Sequence, residues 1–265
     1  MAYYVVIYGE KMSKVAVIVE TREYKALPFV LNNVMSNLSD EWSLQIFHGL
    51  NNLNYVKSVM KGDNFLSKLV TEDRVTFTNL GIKDITAEDS SLGIMLTEKF
   101  WNDVVGETVL YFECDSMLCP NSKFKVEDFE HFDYIGGYWG NAEYPLDEKH
   151  PVVMNGGISI RKKQFMLDII KNELKPYLES GGDPCEDYFV TACVKNMPTT
   201  RQVRNFSIDC GYISPLDMEA PFGVHKPWGV TPSKGHGKYY NEIKKICSEV
   251  EKLESLQEEL KWWSR

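Results

Sequence analysis

Four short runs in this chain carry side chains whose types and spacing suit chemistry. Glu113-Cys114-Asp115 sets two carboxylates two residues apart at the end of an apolar stretch. Alternate residues of an extended chain project together, so both acids share a face, and a hard divalent cation takes oxygen ligands of this kind. The plainer reading is an Asp115 that caps the following turn, since acid-x-acid triplets are common. Asn155-Gly156-Gly157 heads the apolar run Ile158-Ser159-Ile160-Arg161, where paired glycines either let the backbone approach a ligand or form a β-bulge. Glu186-Asp187 follows Gly181-Gly182-Asp183-Pro184-Cys185 and opens a helix. Acids there offset the macrodipole, and one within reach of an acceptor hydroxyl acts as a general base. Finally, Pro221-Phe222-Gly223-Val224-His225-Lys226-Pro227-Trp228 holds a histidine and a cation between two prolines, and the cation complements a phosphate.

These runs need a scaffold, and the hydrophobic pattern supplies one. Lys14–Glu20 is a short apolar run of the length of a buried parallel strand. Leu27, Val30, Leu31, Val34 and Leu38 then recur at helical spacing, with Pro28 in the first turn. Ser43–Phe47, Val75–Thr78 and Thr108–Phe112 read as strands, and Ser90–Val104, Lys162–Lys175 and Glu186–Asn196 as helices. Strand and helix in alternation predict an α/β fold with right-handed crossovers and a mostly parallel central sheet flanked by helices. Ligands of such sheets bind beyond the carboxyl ends of the strands, which directs attention to Glu20-Thr21-Arg22, His48-Gly49 and Glu113-Cys114-Asp115. Tyr3–Tyr8 is either an added edge strand or part of an extension before the fold proper. The expected organisation is one domain over residues 1–235 and a C-terminal amphipathic helix over 236–265.

Singly these signals are weak; their order is more specific. Phe47-His48-Gly49, Phe100-Trp101, Leu110 to Ser116, Asp133 to Gly137, Asn155 to Arg161 and Glu186-Asp187-Tyr188-Phe189 together resemble a little-characterised glycosyltransferase-like domain family of bacteria, fungi and large DNA viruses. The resemblance runs from about Ser13 to Trp228. It implies a single Rossmann-like domain of GT-A type, and with it metal-dependent transfer of a sugar from a nucleoside-diphosphate sugar (a UDP-sugar first among donors) to the hydroxyl of a glycan or other acceptor, with inversion. Enzymes of that type use an Asp-x-Asp motif, so by analogy Asp115 is the metal ligand, and Glu113, one carbon longer than the motif's first acid, is a metal or ribose contact. A late histidine often completes the site, for which His225 is the candidate. Glycogenin-like enzymes carry His-x-x-Gly-x-x-Lys-Pro-Trp; Gly223, Lys226, Pro227 and Trp228 are in step with it, but Ala220 stands where its histidine would be. The cation expected is Mn²⁺ or Mg²⁺. On this scheme Thr21 and Arg22 line the base and ribose pocket, Gly156 and Gly157 lie against the donor sugar, Lys226 faces the diphosphate, and Asp187 or Glu186 takes the acceptor proton. Tyr138, Trp139 and Trp228, with Tyr134 and Tyr144, are either sugar-stacking faces on the acceptor side or core beneath long loops. Two other readings remain at this stage: a catalytically degenerate glycan-binding or assembly module on the same fold, and a sugar nucleotidyltransferase. The second lacks a Gly-rich phosphate loop after the first strand.

Composition narrows the partners. The 265 residues carry a net charge of −9, with 43% hydrophobic and 25% charged side chains, which fits a globular protein and not a disordered one. An acidic chain argues against a broad nucleic-acid surface. The longest apolar run, Tyr3–Tyr8, is far too short to span a membrane, and without a signal-peptide pattern the expected location is cytoplasmic, that of the host if the source is viral. Six cysteines without C-x-x-C or zinc spacing predict reduced, mostly buried thiols. In the tail, Ile243, Ile246, Val250, Leu253 and Leu260 form a stripe interrupted by Gln257; it either packs on its own domain or pairs chains as a short coiled coil in a homodimer. Trp262 and Trp263 could touch a surface or partner, though the acidity of the helix speaks against a membrane.

Overall fold

The computed structural model describes residues 14–85, 91–139, 145–149, 153–210, 219–229 and 240–257. Tyr3–Tyr8, Tyr144, Leu260, Trp262 and Trp263 lie outside the described residues. In chain order the strands are β1 (Lys14–Glu20), β2 (Trp42–His48), β3 (Val75–Asn79), β4 (Thr108–Phe112), β5 (Ser116–Leu118), β6 (Tyr134–Tyr138), β7 (Met154–Lys162), β8 (Ser207–Asp209) and β9 (Gly223–His225). The helices are α1 (Leu27–Ser36), α2 (Leu53–Gly62), α3 (Asn64–Thr71), α4 (Ser91–Met95), α5 (Glu98–Asp103), α6 (Lys163–Asn172), α7 (Leu174–Glu179), α8 (Glu186–Cys193), α9 (Thr200–Phe206), α10 (Tyr240–Ile246) and α11 (Val250–Ser255).

All nine strands form one sheet in the order β3-β2-β1-β4-β7-β6-β8-β9-β5. Strands β3, β2, β1 and β4 are parallel, as the alternation of strand and helix predicts. Strand β7 then runs antiparallel to both β4 and β6, the pairs β6–β8 and β8–β9 are parallel, and β5 closes the edge antiparallel to β9. The sheet is thus mixed with parallel pairs in the majority. Val15 to Ile18, Leu44, Ile46, Val109 and Leu110 are wholly buried, and Leu27, Val30, Leu31 and Val34 of α1 belong to the same core. Burying each such side chain is worth roughly 1.5–3 kcal/mol, which is why these apolar runs settle in the centre.

Registry places the site. Glu20 pairs with His48, so β1 and β2 end level with one another. Phe112 of β4 pairs with Ile158 of β7, and because that pair is antiparallel, Asn155 to Gly157 lie at the carboxyl end of β4. Asp209 pairs with His225, and Ser116 with His225 on its other side. Four segments far apart in sequence therefore meet at one edge of the sheet.

Several predicted helices are broken. The run expected over Ser90–Val104 is α4 and α5, because Thr97 takes an extended conformation and its hydroxyl caps the Phe100 N–H. The run expected over Lys162–Lys175 becomes α6 and α7; Pro176 has no N–H to give the carbonyl of Asn172. The tail is also two helices, with a break at Cys247 to Glu249. Its Ile243, Val250 and Leu253 are fully buried and Ile246 nearly so, all against the chain's own core. That uses the described part of the stripe which a coiled coil would need. The expectation of six reduced thiols also fails: Cys119, just after β5, forms a disulfide with Cys247 across 128 residues, leaving Cys114, Cys185, Cys193 and Cys210 free. A pairing this distant leaves no spacing signal. Among the described residues no helix is long and apolar enough to cross a membrane.

Candidate metal centre and substrate cleft

Glu113 and Asp115 sit in the turn between β4 and β5, just beyond the strand end as the sequence predicts, and they face the same side. The turn is held from both ends. Glu113 N–H donates to the Gly157 carbonyl (3.0 Å), Ser116 Oγ donates to the same carbonyl (2.7 Å), and Lys226 N–H donates to the Asp115 carbonyl (3.1 Å). His225, at the end of β9, brings Nε2 to 3.3 Å from Glu113 Oε2 and 3.2 Å from Asp115 Oδ1. One ligand atom from each of the three residues falls within 4.8 Å of the others. Asp115 Oδ1 and His225 Nε2 are buried without a hydrogen-bond partner, so although close they are not aligned to each other. Buried ligand atoms without hydrogen-bond partners that converge on one point are the arrangement a cation satisfies.

The electrostatics agree. Burial favours the neutral acid at Asp115, but Lys226 (Nζ 3.4 Å from Oδ2) and His225 outweigh it and hold the carboxyl well below its usual range. Glu113 is likewise lowered, with burial opposed by His225 and Lys226. Burial lowers the basicity of His225 while Asp115 raises it, and the net is upward. Lys226 is raised, first by Asp115, and it sits at a left-handed φ of 42° that turns its side chain back over the acids.

A second charged group lies across the same cleft. Arg161 and Glu186 form an ion pair, both essentially without solvent exposure. The guanidinium is enclosed by Tyr111, Tyr134 and Trp101 at 5.2, 5.3 and 6.0 Å from their ring centres. These rings favour a desolvated cation. Glu186 is therefore committed to Arg161. Asp187, next to it on α8, accepts from Gly156 N–H (2.8 Å) and Asn155 Nδ2 (3.1 Å). Burial, then the Glu186 charge, push its carboxyl well above the ordinary range. Glu113, Gly156, Gly157, Arg161, Glu186, Asp187, His225 and Lys226, with Met95, Tyr111 and Asn155, line one cleft of about 240 Å³.

The two glycines make room for protein, not for empty space. A Cβ on Gly157 would lie 2.5 Å from Nδ1 and Nε2 of His225, and one on Gly156 would lie 2.5 Å from Arg161 Nη2 and 2.8 Å from Asp187 Oδ1. The other predicted residues lie outside this cleft. Thr21 is buried and accepts from Ile85 N–H, while Arg22 pairs with Glu20 and lies 4.4 Å over the Tyr24 ring. Of the aromatic residues, Tyr134, Tyr138 and Trp228 are buried. Trp139 meets the half-exposed Tyr188, the residue after Asp187, edge to face at 6.3 Å. Sequence reasoning missed Asp209, whose Oδ1 is 2.6 Å from His225 Nδ1, and gave no role to Arg161. A charged residue in an otherwise apolar strand was the available signal for Arg161; a three-residue strand gave none for Asp209.

No curated protein matches the chain in sequence. Solved structures do match in fold. An active-site mutant of LgtC superposes with a TM-score of 0.54 at 11% identity, covering 91% of this chain and 94% of that one. The galactosyltransferase LgtC in complex with donor and acceptor sugar analogues gives 0.52 at 11% identity, covering 94% and 99%. The glycosyltransferase GlyE of Streptococcus pneumoniae TIGR4 gives 0.52 at 13% identity, covering 92% of this chain; the chain spans 63% of GlyE. At such identities the likeness is one of fold, and the fold is the GT-A type expected from the resemblance. Residues 74–225, more than half of the chain and all of the segment from β3 to β9, match the family model described as a protein of unknown function, DUF5672, and the chain belongs to that family.

Proposed function

We propose that this protein is a metal-dependent glycosyltransferase that moves a sugar from a nucleoside-diphosphate sugar to an acceptor hydroxyl. The observation that carries the reading is the convergence of Glu113, Asp115 and His225, with buried unpaired ligand atoms, beside Lys226 at the carboxyl edge of a GT-A sheet. Asp115 and His225 are the principal ligands and Glu113 the third; their mixed oxygen and nitrogen donors suit Mn²⁺, with Mg²⁺ as the harder alternative. Bound there, the cation supplies neutralisation of the leaving diphosphate. Lys226 adds fixed positive charge toward the same oxygens.

Of the two carboxylates on α8, Asp187 is the base. Glu186 is held by Arg161, whereas the raised affinity of Asp187 for a proton suits it to accept one from the acceptor hydroxyl, in line with displacement and inversion. Arg161 and Glu186 keep α8 against β7 and so fix where Asp187 stands. Arg22, half-exposed beyond β1, borders the base and ribose, and Trp139 with Tyr188 offers the sugar-stacking face on the acceptor side.

A thermal-shift panel of UDP, GDP, TDP and CMP sugars with and without Mn²⁺ tests the donor, since ligand bound to the native state raises its stability. A UDP-sugar is expected to give the largest shift, only with metal, and hydrolysis of that donor is expected in the same tubes. Glycan binding without turnover of any donor would instead mark a degenerate module.

A further inference from the structure

The histidine of the proposed metal centre is oriented by a carboxylate that the ligand set does not include. Asp209 ends β8, directly opposite His225 at the end of the parallel neighbour β9. Their strands are tied beyond the pair by Cys210 N–H donating to the His225 carbonyl at 3.0 Å. Asp209 has no solvent exposure, and its Oδ1 lies 2.6 Å from His225 Nδ1. An ionised carboxylate only accepts hydrogen bonds, so Nδ1 must carry the hydrogen. In neutral imidazole that leaves the lone pair on Nε2, the atom aimed at Glu113 and Asp115. Gly157 closes off one side of the ring, where any side chain would collide with it. The imidazole is therefore fixed in tautomer by Asp209 and in position by the sheet.

We infer that Asp209 is a positioning residue that presets His225 as an Nε2 metal ligand and so sets the affinity of the site for a divalent cation. The inference rests on the metal reading above. Carboxylate partners of ligating histidines are typically worth about 10–100-fold in metal affinity. Asn in this place is isosteric but carries an N–H₂ group. Turned so that its N–H₂ donates to Nδ1, it stabilises the opposite tautomer, in which Nε2 bears the hydrogen and cannot ligate; turned so that its oxygen accepts, it holds Nδ1–H without the carboxylate's charge.

The test is Mn²⁺ titration of the full chain, following free Mn²⁺ by electron paramagnetic resonance. Asp209→Asn should weaken binding about 10–100-fold. His225→Ala should weaken it at least as much. Nitrogen-15 spectra of histidine-labelled parent protein loaded with diamagnetic Zn²⁺ should show His225 protonated at Nδ1 and metal-bound at Nε2, assigned by loss of its signals in His225→Ala. This second measurement needs no Asp209 variant and detects a property that a merely structural role would not move. Parent-like Mn²⁺ affinity in a folded Asp209→Asn protein, or metal on Nδ1, would overturn the inference while leaving the metal centre standing. No Mn²⁺ binding by the parent, or parent-like binding by His225→Ala, would overturn the metal reading and this inference with it.

Discussion

Gly157→Ala is the sharpest probe of the site, because it adds one methyl group and no charge. The new Cβ would stand 2.5 Å from two ring nitrogens of His225. A relaxed separation is roughly 3.5 Å, so about 1 Å must be found. The imidazole cannot swing away freely: Asp209 holds Nδ1 at 2.6 Å, and β9 is paired on both sides. Nor can Gly157 retreat easily, since its carbonyl accepts from both Glu113 N–H and Ser116 Oγ. Overpacking of this kind costs typically about 1–3 kcal/mol. Displacement of Nε2 by a sizeable fraction of an ångström should also weaken Mn²⁺ binding by about tenfold or more. Urea unfolding gives the first quantity, and Mn²⁺ titration the second. Gly62→Ala is the control: nothing lies within 4 Å of its added Cβ at the end of α2, so stability should be unchanged or rise by up to about 1 kcal/mol. A Gly157→Ala protein with parental stability and parental Mn²⁺ affinity would refute this packing of His225.

Asp115→Ala should abolish metal-dependent nucleotide binding; equal affinity for nucleotide plus Mn²⁺ in variant and parent would remove Asp115 from the ligand set. Asp187→Asn should bind nucleotide normally in calorimetry and lose about 10²–10⁴ in kcat. Because the Asp187 carboxyl is raised, it gains a proton more readily folded than unfolded. Its stabilising contribution is thus present at acid pH and is lost as pH rises through its folded value, while turnover should rise over the same window. The acidic limb of the kcat profile should disappear in whatever activity Asp187→Asn retains. Glu186→Gln strands a buried guanidinium and should cost about 3–5 kcal/mol in urea unfolding, whereas an exposed pair such as Lys99–Asp103 should give under about 1 kcal/mol. Replacing Cys119 and Cys247 by serine should lower stability by about 2–4 kcal/mol relative to the oxidised parent, and that difference should largely vanish when the parent is reduced.

What the sequence displayed follows from the range of the interactions involved. The strands β1 and β4 are apolar runs, a pattern set by burial on both faces, while β2 alternates apolar and polar residues, and each was visible to within a residue or two. The acid pair, the glycines and His225 were visible because their residue types are unusual where they stand. Asp209, the commitment of Glu186 to Arg161 and the Cys119–Cys247 bond were not. The first two depend on antiparallel β7 and short β8 and β9 folding back beside β4, and the third on the tail returning to the end of β5, long-range arrangements with no local period. The glycines show the same division. Their need for closeness was legible, but not that an added side chain would meet a histidine at Gly157 and an arginine with two acids at Gly156.

The tail illustrates how such long-range contacts bear on the site. Gln257, which breaks the apolar stripe of α10 and α11, is buried because it has polar partners: its amide donates to the Cys114 carbonyl at 3.1 Å and accepts from Tyr24 Oη at 2.8 Å. Cys114 is the residue between the two acids. The tail therefore grips the backbone of the acid turn from beneath while Gly157 and Lys226 hold it from either side. Around that turn Glu113, Asp115 and Asp209 bring three negative charges against the single permanent cation Lys226. On the proposed function His225 is neutral when its Nε2 holds a metal, and these groups then sum to two negative charges where an anionic diphosphate would come. A divalent cation held by Glu113, Asp115 and His225 would cancel that excess and free Lys226 to face the incoming oxygens instead of the acids. The acidity of the centre and the acidity of its ligand are reconciled by the same ion, so metal and nucleotide should bind with positive coupling: saturating Mn²⁺ should tighten nucleotide binding, and nucleotide should tighten Mn²⁺ binding by the same factor.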